Sequence, residues 1–434
     1  MHDILQRLVT DIGQTSITNL SARIVLVALI IFCVLFAAKA IVHHHLRHWV
    51  ILTFALSIVV GFLSWAILEV WWVPFTDHMP FWLYCWIAAM AFVIFSAVVQ
   101  KGRRILLSIV ALVGVVTMLG SLNFLYNQYP DFDALANENV DGYMTFKDFS
   151  RMTEAPTNSS GQQVGQVFEM PIGSQKSDFS HRHALVYVPP AYFSHPDFGF
   201  PVFVMMHGNP GGPTMWFGGG TIDKTMDSFA AAHNGFAPII VAIDATGSML
   251  ANPICMDTRK GKTMTYIAED VPDSIKSTLH VDSDQSHWVI GGLSYGGTCS
   301  LQVATNHPEA YGTFLDLSGQ IEPTIGNHKQ TVRTFFNGND DAFRAQNPQD
   351  LLEAAAGTDK YKGIAGRFVA GSSDKDSVSA LTTLNDLAQK AGMDTELQIV
   401  SGAHDWNTWR AGFNDNLEFL IDRTQLLQKI GETK

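Results

Sequence analysis

Hydrophobic residues are distributed unevenly along the chain, with four long apolar runs before residue 127 and only short ones after it. The long runs cover about Ala22 to Val42, Trp49 to Trp72, Phe81 to Val99 and Ile105 to Tyr126. Each is long enough to cross a hydrocarbon layer of roughly 30 Å as an α-helix. A cleaved signal peptide is not expected, because the first run lacks a clear cleavage site and three more runs follow it. The pattern predicts a transmembrane region of four helices over residues 1–126.

Cations in the short loops predict how this region lies in the membrane, because Lys and Arg stay on the cytoplasmic side. The first loop lies between Lys39 and Arg47, and the third loop carries three cations over residues 101–104. The second loop, from Pro74 to Pro80, has none. Loops one and three are therefore expected inside the cell, and everything after residue 127 is expected outside the cytoplasmic membrane. The histidines at 43–45 and 48 are interpreted as an interfacial patch rather than a metal site.

Residues 127–163 are polar and rich in Asp, Asn, Ser and Gly, which is typical of a linker. Short apolar runs then alternate with amphipathic stretches such as Ile222 to His233 and Ser377 to Gly392, and Thr408 to Ile430 is predicted as a closing helix. This alternation predicts an α/β domain over residues 164–434, with a mostly parallel sheet covered by helices on both faces. The predicted strands are Val164–Met170, Ala184–Val188, Pro201–Met206, Ile239–Ile243, His287–Gly291, Thr313–Leu317, Arg367–Ala370 and Glu396–Val400.

The segment Ile290 to Gly297 carries the strongest chemical signal, because it places Ser294 in a Gly-x-Ser-x-Gly frame directly after a predicted strand. This is the pattern of a nucleophile elbow, a sharp strand-to-helix turn that exposes a serine. Side chains two residues before and after the serine would collide, and Gly292 and Gly296 remove them. Ser294 is therefore the predicted nucleophile.

A serine nucleophile needs a base and an acid that orients the base, and in this fold they follow in the order serine, acid, histidine. Two later strands each end in such a residue, Asp374 after Arg367–Ala370 and His404 after Glu396–Val400. His404 is predicted as the base, rather than the other late histidines at 307 and 328. Asp374 is predicted as the acid, with Asp376 in the same turn and Asp405 beside the base as alternatives.

The tetrahedral intermediate of such a reaction needs two backbone donors for its oxyanion. One is expected from Tyr295, which follows the nucleophile. The other is expected from the loop His207 to Gly212, where Asn209 is the predicted donor because Pro210 has no N–H. His207 is expected to shape this loop rather than to transfer protons. No metal or other cofactor is predicted.

Four motifs together resemble the esterase D-like branch of α/β-hydrolases, which includes feruloyl esterases, S-formylglutathione hydrolases and the mycolyltransferases of actinobacterial envelopes. They are His207-Gly-Asn, Gly292-Leu-Ser-Tyr-Gly-Gly297, Gly371-Ser-Ser-Asp374 and Gly402-Ala-His-Asp-Trp-Asn-Thr-Trp409. The resemblance covers residues 165–430 and implies the α/β-hydrolase fold, with the site residues in the roles predicted above. Mycolyltransferases depart from this chain in using glutamate where Asp374 stands and aspartate where His207 stands.

Residues outside the predicted triad supply weaker expectations. The loop Asp244 to Asp257 is expected to overhang the site, and Trp216 and Trp406 are candidates for substrate binding, with mere packing as the equal alternative. Cys255 and Cys299 are candidates for a disulfide in an oxidising compartment, with two reduced thiols as the alternative.

The net charge of −12 excludes a basic surface for nucleic acid as the main feature of this chain. The sequence predicts a membrane-anchored, extracytoplasmic serine esterase or acyltransferase that acts on acyl esters of the cell envelope. A lipid or glycolipid is the expected substrate, and a sugar is a candidate acceptor. The alternative is a catalytically silent hydrolase-fold protein that binds or assembles envelope components.

Overall fold

The computed structural model describes residues 15–43, 47–71, 79–100, 103–129, 132 and 142–432. The chain divides into two compact units, residues 1–138 and 139–434. Several sequence predictions fall outside the described residues, including the histidines at 44 and 45, most of the second loop, Lys101 and nearly all of 130–141. Among the described residues, no group of three or more His, Cys, Asp or Glu side chains could hold a metal ion.

The first unit consists of four apolar helices. They are α1 (Leu20–His43), α2 (Arg47–Ala66, continued by a π-helical turn over Ile67–Trp71), α3 (Phe81–Val99) and α4 (Arg104–Tyr126). All four are long and apolar enough to cross a membrane, and their bounds lie within two residues of the predicted ones. Helix α3 packs against each of the other three helices. Most other faces expose Leu, Ile, Val and Phe, as helices in contact with lipid do.

The second unit is built on one nine-stranded sheet, in the order β1-β2-β3-β5-β4-β8-β9-β10-β11. Only β3 runs antiparallel to its neighbours; all the other pairings in this sheet are parallel. The strands are β1 (Met144–Thr145), β2 (Gln166–Met170), β3 (Ala184–Val188), β4 (Val202–Met206), β5 (Ile239–Ile243), β8 (Val289–Leu293), β9 (Thr313–Leu317), β10 (Ala365–Gly371) and β11 (Asp394–Val400), and the pair β6 (Asp257–Thr258) and β7 (Gly261–Lys262) forms a separate hairpin. The predicted α/β architecture is confirmed.

Helices lie between most of the strands, as expected for parallel connections, and three more follow β11. They are α5 (Phe146–Phe149), α6 (Ala191–Ser194), α7 (Ile222–Ala232), α8 (Thr263–Thr265), α9 (Val271–Thr278), α10 (Tyr295–Asn306), α11 (His328–Phe336), α12 (Asp340–Arg344), α13 (Pro348–Ala355), α14 (Lys375–Lys390), α15 (Trp406–Asp415), α16 (Leu417–Arg423) and α17 (Leu426–Glu432). The closing helix predicted over Thr408–Ile430 is wrong in its continuity. Asn416 and Gln425, the latter with φ 58°, separate three shorter helices.

The predicted linker extends too far. Met144–Thr145 pairs with β2, and Phe149 is 6% exposed and stacks on Phe168 with ring centroids 3.7 Å apart. The aromatic residues of this segment bury their rings against the sheet, although the polar residues around them give it the composition of a linker. Residues 142–163 therefore belong to the hydrolase unit.

Candidate active site

Ser294 occupies the sharp turn between β8 and α10, with backbone angles φ 54° and ψ −115°. These angles are strained for a residue with a side chain and persist only where the surroundings enforce them. The amide of Ser294 donates a 2.7 Å hydrogen bond to the carbonyl of Leu317 in the next strand. A Cβ at Gly296 would lie 2.5 Å from the carbonyl oxygen of Met206, and one at Gly292 would collide with the backbone of Gly296. The turn has the geometry of a nucleophile elbow.

The other two predicted triad residues lie at the same edge of the sheet as Ser294. Strands β8, β9, β10 and β11 are successive parallel neighbours, so the loops that follow them open on one side. Asp374 follows β10 and His404 follows β11. Nδ1 of His404 and Oδ2 of Asp374 are 2.7 Å apart, the distance of a charge-assisted hydrogen bond. The ring of His404 also meets the edge of Trp409, at a centroid distance of 5.3 Å.

Asp374 is held as an ionised acceptor. Its burial would raise the pKa, but hydrogen bonds from His404 and Ser377 outweigh that effect and lower the pKa of Asp374 below its ordinary value. The two alternative acids have other positions. Asp376 is exposed in the first turn of α14, and Asp405 caps α15 by accepting from the amides of Asn407 and Thr408, both at 3.1 Å. Of the three candidate acids, Asp374 is thus the one whose observed contact with His404 matches the predicted role.

The remaining candidate histidines are engaged with other groups. His307 pairs with Glu309 at 3.1 Å, and His328 lies between Glu322 and Asp340, at 3.0 Å and 2.7 Å. His207 is fully buried, with Nδ1 2.7 Å from the carbonyl oxygen of Gly208. These contacts join all three rings to groups outside the proposed triad.

The loop His207 to Gly212 lies directly against the elbow. A Cβ at Gly208 would be only 3.4 Å from the Cβ of Ser294. Asn209 is 7% exposed, and its side-chain amide donates to the carbonyl of Ala251. Tyr295 is the first residue of α10, where backbone N–H groups have no acceptor within the helix. Both predicted oxyanion donors thus belong to segments adjacent to Ser294.

An ion pair between the buried Asp244 and the partly exposed Arg182 supports this loop, and sequence reasoning missed it. Asp244 is fully buried at the end of β5, and its two carboxylate oxygens accept from Nε and Nη2 of Arg182 at 2.7 Å and 2.9 Å. Nη2 of Arg182 also donates to the carbonyl of Gly211, and Nε2 of His207 lies 3.3 Å from Asp244. Burial raises the pKa of Asp244, yet the bonds from Arg182 and His207 prevail and hold the pKa far below its usual range. The sequence does offer one signal for this pair, because the acidic residue Asp244 directly follows the apolar strand β5.

A second buried acid lies beneath the elbow helix. Asp316 is the fourth of the five residues of β9 and fully buried, and its Oδ1 accepts a 2.8 Å bond from the amide of Gly319. Burial raises the pKa of Asp316 to about 8. A Cβ at Gly297 would lie within contact of the same carboxyl group, so Asp316 packs against the start of α10. A single acid inside the apolar run of β9 could have indicated it.

The two candidate substrate-binding tryptophans are core residues. Trp216 and Trp406 are 1% and 0% exposed and meet edge to face, with centroids 5.8 Å apart. The indole N–H of Trp216 donates to the carbonyl of Met206 at 3.0 Å. Their surroundings match the packing alternative, because neither ring has surface left for a substrate.

The loop Asp244 to Asp257 is tied to the elbow helix. Cys255 and Cys299 form a disulfide with their Cα atoms 5.5 Å apart. The hydroxyl of Tyr295 donates to the carbonyl of Ala245 and accepts from the amide of Cys255, both at 3.0 Å. The side chain of Gln302 donates to the carbonyl of Ile254 at 3.0 Å. The loop is therefore fastened to α10, the helix that begins directly after Ser294.

Comparisons with known proteins agree with this geometry. The family named Esterase matches residues 179–420, more than half of the chain. An uncharacterised protein of Corynebacterium glutamicum is 40% identical over 415 residues, which are 94% of this chain and 97% of that protein. The similarity to this relative therefore extends into the four apolar helices.

Two solved structures resemble the second unit. A ferulic acid esterase gives a TM-score of 0.52 at 19% identity and covers 60% of this chain and 98% of its own. An S-formylglutathione hydrolase from Agrobacterium tumefaciens gives a TM-score of 0.48 at 17% identity and covers 63% of this chain and 100% of its own. The first likeness identifies the fold as that of the α/β-hydrolases.

Proposed function

Because this chain belongs to the esterase family, we propose that it cleaves or transfers acyl groups through Ser294, with His404 as general base and Asp374 as the acid that orients it. The observation that carries the proposal is the 2.7 Å hydrogen bond between His404 and Asp374, at the sheet edge where the strained Ser294 turn opens. Nδ1 bonded to a carboxylate keeps its proton and leaves Nε2 as the basic nitrogen.

The reaction begins when Oγ of Ser294 attacks the ester carbonyl carbon and its proton passes to Nε2 of His404. The carbonyl electrons move onto oxygen, and the amides of Tyr295 and Asn209 stabilise this oxyanion. The carbonyl then reforms, the bond to the alkoxy group breaks, and the leaving alcohol takes the proton from His404. The product of this half-reaction is an acyl-enzyme on Ser294.

A second nucleophile completes the cycle by the same steps. Water releases the free acid, whereas a hydroxyl group of a sugar yields a new ester, and in both cases the proton of the nucleophile passes through His404. The proposal covers both reactions, because only the identity of the attacking hydroxyl differs between them.

The four helices are proposed to anchor the enzyme in the cytoplasmic membrane, with the hydrolase unit on the outer side. The cation distribution of the loops supports this orientation. The disulfide between Cys255 and Cys299 also supports it, since such bonds persist in oxidising compartments outside the cytosol. Acyl esters of the cell envelope, lipid or glycolipid, are then the substrates within reach.

A fluorophosphonate probe tests the proposal on the full chain in lipid nanodiscs. We expect the probe to label Ser294, with the modified residue identified by mass spectrometry, and Ser294→Ala to abolish labelling. Ser300→Ala is the matched control, because Ser300 lies in the same helix with its hydroxyl bonded to Gly297 and Leu315. A folded wild-type protein that stays unlabelled would instead favour the catalytically silent binding protein.

A further inference from the structure

The tip of the loop Asp244 to Asp257 exposes two adjacent apolar side chains. Met249 is 63% exposed and Leu250 is 43% exposed. Within residues 142–432, Ile399 and Leu427 are the other large apolar side chains with comparable exposure. The tip is therefore the one place in this described region where two such side chains are consecutive.

Backbone contacts connect this tip to the proposed oxyanion hole. The amide of Gly211 donates to the carbonyl of Met249 at 3.1 Å, and the side chain of Asn209 donates to the carbonyl of Ala251. The same oxyanion loop touches the nucleophile, since a Cβ at Gly208 would lie 3.4 Å from that of Ser294. The apolar tip is therefore hydrogen-bonded to the oxyanion loop, and the oxyanion loop lies directly against Ser294.

The tip is held in its exposed position rather than free to fold inward. The disulfide at Cys255, the hydroxyl of Tyr295 and the amide of Gln302 fasten the end of the loop to α10. At the start of the loop Asp244 accepts from Arg182, and the amide and hydroxyl of Thr246 donate to Asp244, both at 3.1 Å. The loop is thus fixed at both ends while Met249 and Leu250 stay in water, where they do not contribute the free energy of apolar burial. Adjacent exposed apolar side chains of this kind indicate a binding site for an apolar ligand.

We propose that Met249 and Leu250 form the binding surface for the hydrocarbon chain of the acyl group carried by Ser294. This inference rests on the proposed function and names the substrate class as esters of medium or long fatty acyl chains. Residues 245–256 contain no Asp, Glu, Lys or Arg, so the loop offers no ionic recognition of a charged ligand. Its position beside the oxyanion loop places it near the ester carbon that carries the acyl chain.

The test compares p-nitrophenyl octanoate with p-nitrophenyl acetate, using the full chain in nanodiscs. We expect Met249→Ser/Leu250→Ser to lower the octanoate-to-acetate ratio of kcat/KM about tenfold, the equivalent of roughly two methylene groups left in water. Leu427→Ser is the matched control, because Leu427 has the same 43% exposure as Leu250 but lies in the last helix. The control is expected to keep the wild-type ratio.

Several outcomes overturn the inference. A ratio that changes less than twofold in the double variant, or falls equally in Leu427→Ser, shows that the tip does not bind the chain. If the double variant loses activity only towards substrates embedded in vesicles, the tip contacts the lipid surface instead. If fluorophosphonate labels Ser294 while the ratio is unchanged, this inference fails and the proposed function stands; an unlabelled Ser294 removes both.

Discussion

Arg182 holds Asp244 through two parallel hydrogen bonds of 2.7 Å and 2.9 Å, and the same guanidinium group donates to the oxyanion loop at Gly211. The carboxylate is fully buried, whereas the side chain of Arg182 is 35% exposed. A bidentate pair of this kind fixes position as well as charge, because the planar fork of arginine matches a carboxylate. The loop that carries Asn209 is therefore positioned by an ion pair outside the proposed triad, whose carboxylate is buried.

Arg182→Lys tests this positioning role. Lysine keeps the charge but cannot form both bonds to Asp244 and the bond to Gly211, so kcat is expected to fall about tenfold to a hundredfold through displacement of the loop. The unfolding temperature should fall as well. Arg344→Lys is the control, because Arg344 forms an exposed pair with Asp340 and should change neither quantity measurably. Equal activity of both variants would contradict the role of Arg182.

Asp374→Asn separates the acid from its alternatives. The amide leaves the geometry in place but presents the wrong hydrogen-bonding group to Nδ1 of His404, so kcat should fall by about 10⁴-fold, as expected for a triad acid. Asp376→Asn, two residues further along, is the control and should retain kcat within about twofold, since surface substitutions have small effects. Steady-state hydrolysis of p-nitrophenyl acetate measures both. If kcat fell more in Asp376→Asn than in Asp374→Asn, the acid would be Asp376 instead.

The hydroxyl group of Tyr295 is expected to stabilise the site as well as the fold. Tyr295→Phe leaves the carbonyl of Ala245 and the amide of Cys255 without this buried partner, which costs about 1–3 kcal/mol for each unsatisfied group. Because these groups hold the loop against the oxyanion segment, kcat should fall too. Tyr361→Phe removes a comparable bond to the carbonyl of Thr305, so it should lower the unfolding temperature alone. Unchanged kcat in Tyr295→Phe would confine its role to stability.

The buried acid Asp316 predicts a pH dependence of stability. Its pKa rises from 3.8 to about 8 in the folded protein, so between these values the folded state holds a proton that the unfolded state has lost. The free energy of unfolding should therefore decrease as pH rises through this window, by up to about 1.4 kcal/mol per pH unit, and level off above it. Thermal unfolding from pH 5 to 8 measures this slope.

Asp316→Asn should flatten that dependence, because its amide does not titrate and can still accept from Gly319. The exposed residue Asp386 supplies the control, and Asp386→Asn should keep the wild-type slope. A slope that survives in Asp316→Asn would assign the titration to another group.

Much of the fold could be predicted because its signals are local. Alternation of apolar strands with amphipathic helices is set by neighbouring residues, and β3, β5 and β9 begin and end at the predicted residues. The Ser294 turn was predictable because its Gly-x-Ser-x-Gly frame is a local pattern, although the close contact that requires Gly296 is with the distant residue Met206. The family match over residues 179–420 confirms the resemblance to esterases.

The remaining features depend on contacts between distant parts of the chain. Arg182 and Asp244 are 62 positions apart, so no local pattern identifies them as a pair. The tryptophans at 216 and 406 gave the same sequence signal whether they packed or bound substrate, and only the fold reveals their burial. The break after Asp415 was missed because the apolar pattern continues through it, although the backbone turns at Asn416.

The stack of Phe149 on Phe168 determines where a soluble fragment of this protein can begin. A fragment that starts at residue 164 would remove β1 and uncover the aromatic face of β2, leaving an edge strand that favours aggregation. A fragment that starts at residue 142 would keep that edge covered. Crystallisation and kinetic work without the membrane helices is thus best begun from the longer fragment.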